Sequence, residues 1–272
     1  MPELATLLPL VGLLILSGSF AGLLAGMLGV GGGIVHVPAF FLVFTILGFD
    51  GPQIMQVCLA TSLAAIVVTS LRSVAAHNRR GAVDWAILRG WAPGIAIGAI
   101  LGVLVAAQLR SETLVLLFGL IAFAVGLYLA FGRASWRLGA AMPSGPARGA
   151  LSPLVGFLSV LMGIGGGSFG VPLMTLYGVP IHRAVATAAG FGALIAIPSA
   201  LAFLLMPVQA APPFTVGAVN LPAFAVSVSM TLVTAPLGAR IAHALPADRL
   251  RRVFAVFILI VAVNMLRKAL WG

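Results

Sequence analysis

The chain has 272 residues, of which 61% are hydrophobic and only 7% charged. Soluble globular domains carry about 25% charged residues, so this composition excludes a water-facing surface over most of the molecule. The net charge of +10 would point a soluble protein towards nucleic acid. Here the arginines read as cytoplasmic flanks of membrane helices, and nucleic acid is excluded as a partner.

No charged residue stands between Glu3 and Asp50, or between Arg148 and Arg183. Both runs far exceed the roughly 20 apolar residues that cross a bilayer, so the expected fold is an all-α polytopic membrane protein. The Met-Pro-Glu start lacks the basic n-region of a signal peptide, and the first hydrophobic run is expected to be retained. Charges and prolines divide the chain into about ten segments, on the roughly 20-residue guide for a span. The first five lie near 4–28, 34–49, 54–71, 90–109 and 113–132. The second five lie near 149–164, 169–181, 184–206, 221–239 and 253–266. Segments two, seven and ten are short for a full crossing. The single cysteine, Cys58, excludes an intrachain disulfide and a cysteine metal cluster and reads as a small packing residue. No cofactor is expected.

The two sets of segments match. Residues 29–38 read GVGGGIVHVP and residues 163–172 read GIGGGSFGVP. From residue 81 onward the halves align without gaps. Gly81-Ala82-Val83-Asp84 faces Gly217-Ala218-Val219-Asn220, Leu101-Gly102 faces Leu237-Gly238, and Phe118 faces Phe254. The reading is a first transmembrane repeat over 1–132, a cytoplasmic linker over 133–148 (RASWRLGAAMPSGPAR) and a second repeat over 149–272. The loop near 72–89 holds Arg72, Arg79, Arg80 and Arg89, while its counterpart at 207–219 holds no charge. The loop at 240–252 holds Arg240, Arg249, Arg251 and Arg252, against Arg110 and Glu112 in its counterpart. Matching loops thus fall on opposite sides, which makes the five-segment units inverted-topology repeats. With basic loops inside, all of the 15 basic residues except Arg110, Arg267 and Lys268 are cytoplasmic. Arg148 and Arg183 then share a side, so the two segments between them leave and return as short crossings or a re-entrant hairpin.

Three glycines followed shortly by proline cannot continue a helix, since glycine costs about 1 kcal/mol and proline about 3 in a helix interior. In lipid such a break is tolerated only where protein buries it or it lines a cavity. Two breaks at corresponding places in inverted halves point to a substrate site near the midplane. Free N–H groups at half-helix starts favour an anion there. The plainer use of glycine is close helix packing, which Gly90, Gly94, Gly98 and Gly102, and Gly18, Gly22 and Gly26, suit by their spacing of four. Gly165, Gly167 and Gly170 spell GxGxxG, but no βαβ context surrounds them.

The doubled GxGGGxxxVP, with Arg80–Trp85 (RGAVDW) and the Ala60-Thr61-Ser62 and Ala186-Thr187-Ala188 stretches, resembles the TauE/SafE family of sulfite and organosulfonate exporters. The resemblance covers nearly the whole chain. It implies a membrane transporter that moves small, mostly sulfur-containing anions outward. Ala188 stands where the first half has Ser62, so the halves need not contribute equally.

The candidate substrate-binding residues are Gly31, Gly32, Gly33 and His36 at the first break, and Gly165, Gly166, Gly167 and Ser168 at the second. Thr61, Ser62 and Thr187 join them from the helices that follow. His36, matched by Gly170, can hold an anion or a proton, or simply satisfy a freed carbonyl. The hydroxyls can bond an oxyanion or their own helix. Arg183 suits an anion entrance or plain positive-inside placement. Asp84 near Arg80 suits a helix N-terminus, and Asn220 suits a cap. Trp85, Trp91, Trp136 and Trp271 suit interfacial anchoring.

The leading expectation is a secondary transporter exporting a small anion by alternating access in the bacterial cytoplasmic (inner) membrane. It leaves room for a coupling proton or other ion, and for a homodimer. A passive anion channel and a transporter of an unrelated solute are the alternatives. An enzyme would need a nucleophile–base set or a metal constellation, and the scattered histidines and five acidic residues supply neither.

Overall fold

The computed structural model describes residues 4–28, 33–132, 136–244 and 247–271, with side chains over 11–23, 33–132, 136–238, 241 and 252–271. Ten helices run in order: α1 Leu4–Leu28, α2 Gly33–Ile46, α3 Ile54–Asn78, α4 Trp85–Gln108, α5 Ser111–Phe131, α6 Gly145–Leu161, α7 Gly167–Leu176, α8 Ile181–Leu204, α9 Leu221–Ala244 and α10 Ala247–Trp271. A two-stranded antiparallel hairpin, β1 Thr215–Val216 and β2 Val219–Asn220, precedes α9. It fills the charge-free loop that the sequence left without structure.

Over the described residues, six of the helices (α3, α4, α5, α8, α9 and α10) are long and apolar enough to cross a membrane. α2 has 14 residues and α7 has 10, about 21 and 15 Å at 1.5 Å per residue. Neither spans the roughly 30 Å hydrocarbon core. Segments two and seven are thus short as expected. Segment ten is not: α10 has 25 residues, because its first turns carry the arginines that the hydrophobic count set aside.

The packing is reciprocal. α1 lies against α9 and α6 against α4, α3 faces α8, α5 faces α10, and the short α2 and α7 lie on α3 and α8. α3 and α8 form the centre: their apolar windows are 72% and 56% buried, against 39% or less for the other four long helices. The outer helices turn Ile97, Leu101, Leu120, Val256 and Ile260 outward, as lipid-facing surfaces do. Small residues set the closest approaches. A Cβ on Gly98 would fall on the Pro153 carbonyl, and one on Gly156 on the Ile95 carbonyl. Gly22 meets Thr231 and Thr234 in the same way.

The caps follow the sequence. Asp84 Oδ1 accepts from the N–H groups of Ala86 and Ile87, both at 3.1 Å. Asn220 Oδ1 accepts from Ala223 N–H at 3.0 Å. Trp91 corrects an expectation: it is buried in the core, its ring centroid 6.1 Å from that of Phe191. Its place on the inner face of α4 outweighs its amphipathic character. Trp85, Trp136 and Trp271 are exposed.

The close α4–α6 approach predicts opposite outcomes for two glycine-to-alanine changes. Gly98→Ala should lower thermal stability by about 1–3 kcal/mol through overpacking. Gly149→Ala, where a Cβ meets open space, should be neutral or raise it by up to about 1 kcal/mol. Thermal unfolding of the detergent-solubilised proteins checks both, and equal midpoints would refute the packing argument.

Candidate functional site

The second break is built as a helix stop followed at once by a helix start. α6 ends in a Schellman arrangement. Gly163, at φ +59°, donates its N–H to the Val160 carbonyl at 2.8 Å, and Ile164 donates to the Ser159 carbonyl at 2.9 Å. That left-handed φ favours glycine. The chain then crosses Ile164–Gly166, and Gly170 N–H makes a helical bond to the Gly166 carbonyl at 2.7 Å. Residues 162–168 are all buried. The Gly163 carbonyl, freed by the break, accepts from Ser62 Oγ on α3 at 2.7 Å.

A cleft of about 30 Å³ lies between α3, α8 and this break, lined by Gly165, Gly166 and Gly167 and by Thr69, Ser70 and Ser73. Ala188, Ala189 and Gly192 form its α8 wall. Ile66, Thr69, Ser70 and Ser73 share one face of α3 because helical neighbours recur every three to four residues. The first N–H groups of α7 have no intrahelical acceptors, and the helix start carries partial positive charge. The cleft therefore joins helix-start backbone donors to hydroxyls without a fixed charge. The hydroxyls now bond back to α3, Thr69 Oγ1 to the Ala65 carbonyl at 3.2 Å and Ser70 Oγ to that of Val67 at 3.4 Å. Such long bonds are weak and are readily exchanged. A cavity needs roughly 10–15 Å³ to hold one water, so this cleft admits one or two. Gly166 sets the width: a Cβ there would lie 2.6 Å from the Ala188 carbonyl and overlap Phe191.

The predicted site residues divide. Gly165, Gly166 and Gly167 line the cleft. Gly33 touches the same break from α2, where a Cβ would lie 2.7 Å from the Gly163 carbonyl, and Ser62 bonds that carbonyl from α3. Ser168 faces a groove between α5, α6 and α7 instead, and its buried hydroxyl has no hydrogen-bond partner. His36 faces α9, with Nε2 3.5 Å from Thr231 Oγ1, its ring stacked on Phe40 and Nδ1 without a partner. Gly31 and Gly32 lie outside the described residues.

Thr61 and Thr187 make a matched pair of contacts. Thr61 Oγ1 accepts from the N–H of Asn220 at 3.0 Å, and Thr187 Oγ1 accepts from the N–H of Asp84 at 2.9 Å. Each threonine holds the cap residue of a helix in the other half. Arg183 pairs with Asp84 at 3.5 Å, which ties the start of α8 to the start of α4. Thr69, Ser70 and Ser73 escaped the sequence reading, which looked only at hydroxyls near the breaks. The signal was present as the stretch Thr69-Ser70-Leu71-Arg72-Ser73, with its hydroxyls on one helix face.

Residues 14–265 match the sulfite exporter TauE/SafE family. The chain belongs to that family. A probable membrane transporter protein of Haemophilus influenzae is 31% identical over 262 residues, covering 94% of this chain and 98% of that one. One from Methanocaldococcus jannaschii is 26% identical, covering 97% of each chain. The probable membrane transporter protein YunE of Bacillus subtilis is 30% identical over 64% of this chain and 71% of its own. No solved structure matches. With six apolar spans, this TauE/SafE member is a multi-pass membrane transporter.

The threonine contacts carry a prediction. Thr61→Val and Thr187→Val each leave a cap N–H without its acceptor and should lower stability by about 1–3 kcal/mol, while Thr61→Ser and Thr187→Ser recover most of it. Thermal unfolding of the four variants checks this. A valine variant with an unchanged midpoint and altered transport would mean that the threonine serves substrate rather than the cap.

Proposed function

We propose that this transporter is a secondary carrier that exports a small anion, sulfite or an organosulfonate, from the cytoplasm across the bacterial inner membrane. The observation that carries the reading is the cleft where the α7 N-terminus and the glycine triplet face three hydroxyls of α3. Free N–H groups and hydroxyls bind an oxyanion without a fixed cation that would trap it. The cleft lies between the middle of α3 and its arginine-bearing end, the side that positive-inside placement assigns to the cytoplasm. An exporter loads from that side. The cleft is too small for a sulfonate as it stands, so the reading includes a closed state that widens by movement of α3 against α8. Alternating access between inverted halves supplies such a movement.

Counterflow in proteoliposomes tests this. Vesicles loaded with sulfite, sulfoacetate, taurine or sulfate receive the same labelled compound outside, with and without a pH gradient. Saturable exchange of one of them is expected. Flux that rises linearly without counterflow would replace the carrier by a channel, and no exchange of any of the four would remove the sulfur-anion assignment. Gly166→Leu should abolish exchange in protein that still inserts. Ser70→Ala and Thr69→Val should each raise KM about fivefold, the value of one hydrogen bond of about 1 kcal/mol. Unchanged KM in both would place the site elsewhere.

A further inference from the structure

A bilayer-facing groove of about 200 Å³ runs between α1, α2 and α10. Phe20, Pro38, Phe41, Leu42, Phe257 and Val261 form its apolar wall, and Asn264 and Lys268 stand at its end. Phe20 and Leu42 remain about half exposed, so the groove opens to the hydrocarbon. The helices that match them in the alignment of the halves, α5, α6 and α7, frame a second groove lined by Val125, Tyr128 and Pro172. In the gapless alignment of the halves Tyr128 matches Asn264 and Gly132 matches Lys268. The apolar groove is thus repeated, and the residue that matches Lys268 in the alignment is not a cation.

Lys268 is the only lysine of the chain. Its Nζ lies 4.5 Å from the Phe41 ring centroid and 3.2 Å from Thr45 Oγ1, so the side chain folds back over the α2 wall. Among the described residues it joins no ion pair, although the Asp50 carboxylate is near enough to act on its charge. Arg267 lies beside it and donates to Asn264 Oδ1 at 3.2 Å. One cation and an amide therefore stand at the end of the apolar groove, and Arg267, on the neighbouring surface of α10, reaches that amide.

We propose that this groove seats an anionic phospholipid, with an acyl chain along the α1–α2–α10 wall and the phosphate on Lys268 and Arg267. A hydrocarbon groove excludes water, and the bilayer supplies the chain that fills it. Basic residues at the end of such a groove select an anionic headgroup. This accounts for two basic residues at the helix end that positive-inside placement leaves outside. It stands whichever solute is carried.

Native mass spectrometry of the full chain tests it, with phosphatidylglycerol and phosphatidylcholine of identical acyl chains as the probes. Wild type should retain phosphatidylglycerol in preference to phosphatidylcholine. Lys268→Gln and Arg267→Gln should each reduce retention about fivefold, the worth of one basic residue near a membrane surface. Both side chains are exposed, so these variants leave the core intact. Ala39→Trp, which fills the groove and keeps both charges, should lose the lipid as well. Equal retention of the two lipids, undiminished retention without the charges, or undiminished retention in Ala39→Trp would each overturn the assignment.

Discussion

Hydrocarbon offers no hydrogen bonds, so a helix may break inside a membrane only where protein satisfies the freed backbone. The rest of this structure depends on that requirement. At the second break Gly163 closes α6 on its own carbonyls, and Ser62 arrives from α3 to bond the carbonyl that remains. The break must also be walled from lipid, which places α3 and α8, the two most buried long helices, around it. Small residues let the walls close: Ala188 and Gly192 of α8 pack on Gly166, and Gly33 of α2 packs on Gly163. The short α7 follows from the same cause, since it starts at this break.

The polar contacts between halves are distributed unevenly, and this bears on how the molecule can move. Thr61 ties α3 to the start of α9, while Thr187 and Arg183 tie α8 to the start of α4. Among the described residues no hydrogen bond joins α3 directly to α8. Their contact at the cleft is made by small residues and by hydroxyls that bond back to their own helix. Separating α3 from α8 there breaks van der Waals contact alone, whereas separating α3 from α9 or α8 from α4 unpairs a cap. The seam through the cleft therefore carries no hydrogen bond, unlike the contacts of α3 with the start of α9 and of α8 with the start of α4.

Composition made the helical membrane class legible, because 7% charge cannot solvate a soluble surface. The break at 163–167 was legible because a glycine triplet before proline has no helical reading. Other features depended on which way a residue faces, and a single sequence does not record that. Trp91 carried an interfacial composition signal but sits on the inner face of α4. The acceptor role of Thr61 and Thr187 was not legible, because the N–H groups they accept come from residues 159 and 103 positions away. Thr69, Ser70 and Ser73 belong to the cleft only because α3 passes the α7 N-terminus more than a turn beyond Ser62. The boundaries of α10 were missed because a hydrophobic count stops at arginines that a helix readily includes in its first turns.

The two halves also differ where symmetry would make them alike. Gly170 matches His36, and in the gapless alignment Trp91 and Ile95 match Ser227 and Thr231. At one of the two matched places the position is apolar and filled: Trp91 stacks on Phe191, and a Cβ on Gly170 would lie 2.9 Å from the Phe191 ring. At the other it is polar and incompletely bonded, with His36 Nδ1 and Ser227 Oγ buried and unpartnered. An unsatisfied buried polar atom costs about 1–3 kcal/mol. The apolar counterpart shows that the architecture itself does not impose this cost at that place. The polar set around His36 is therefore an expense that the fold could avoid, and packing stability does not explain its presence.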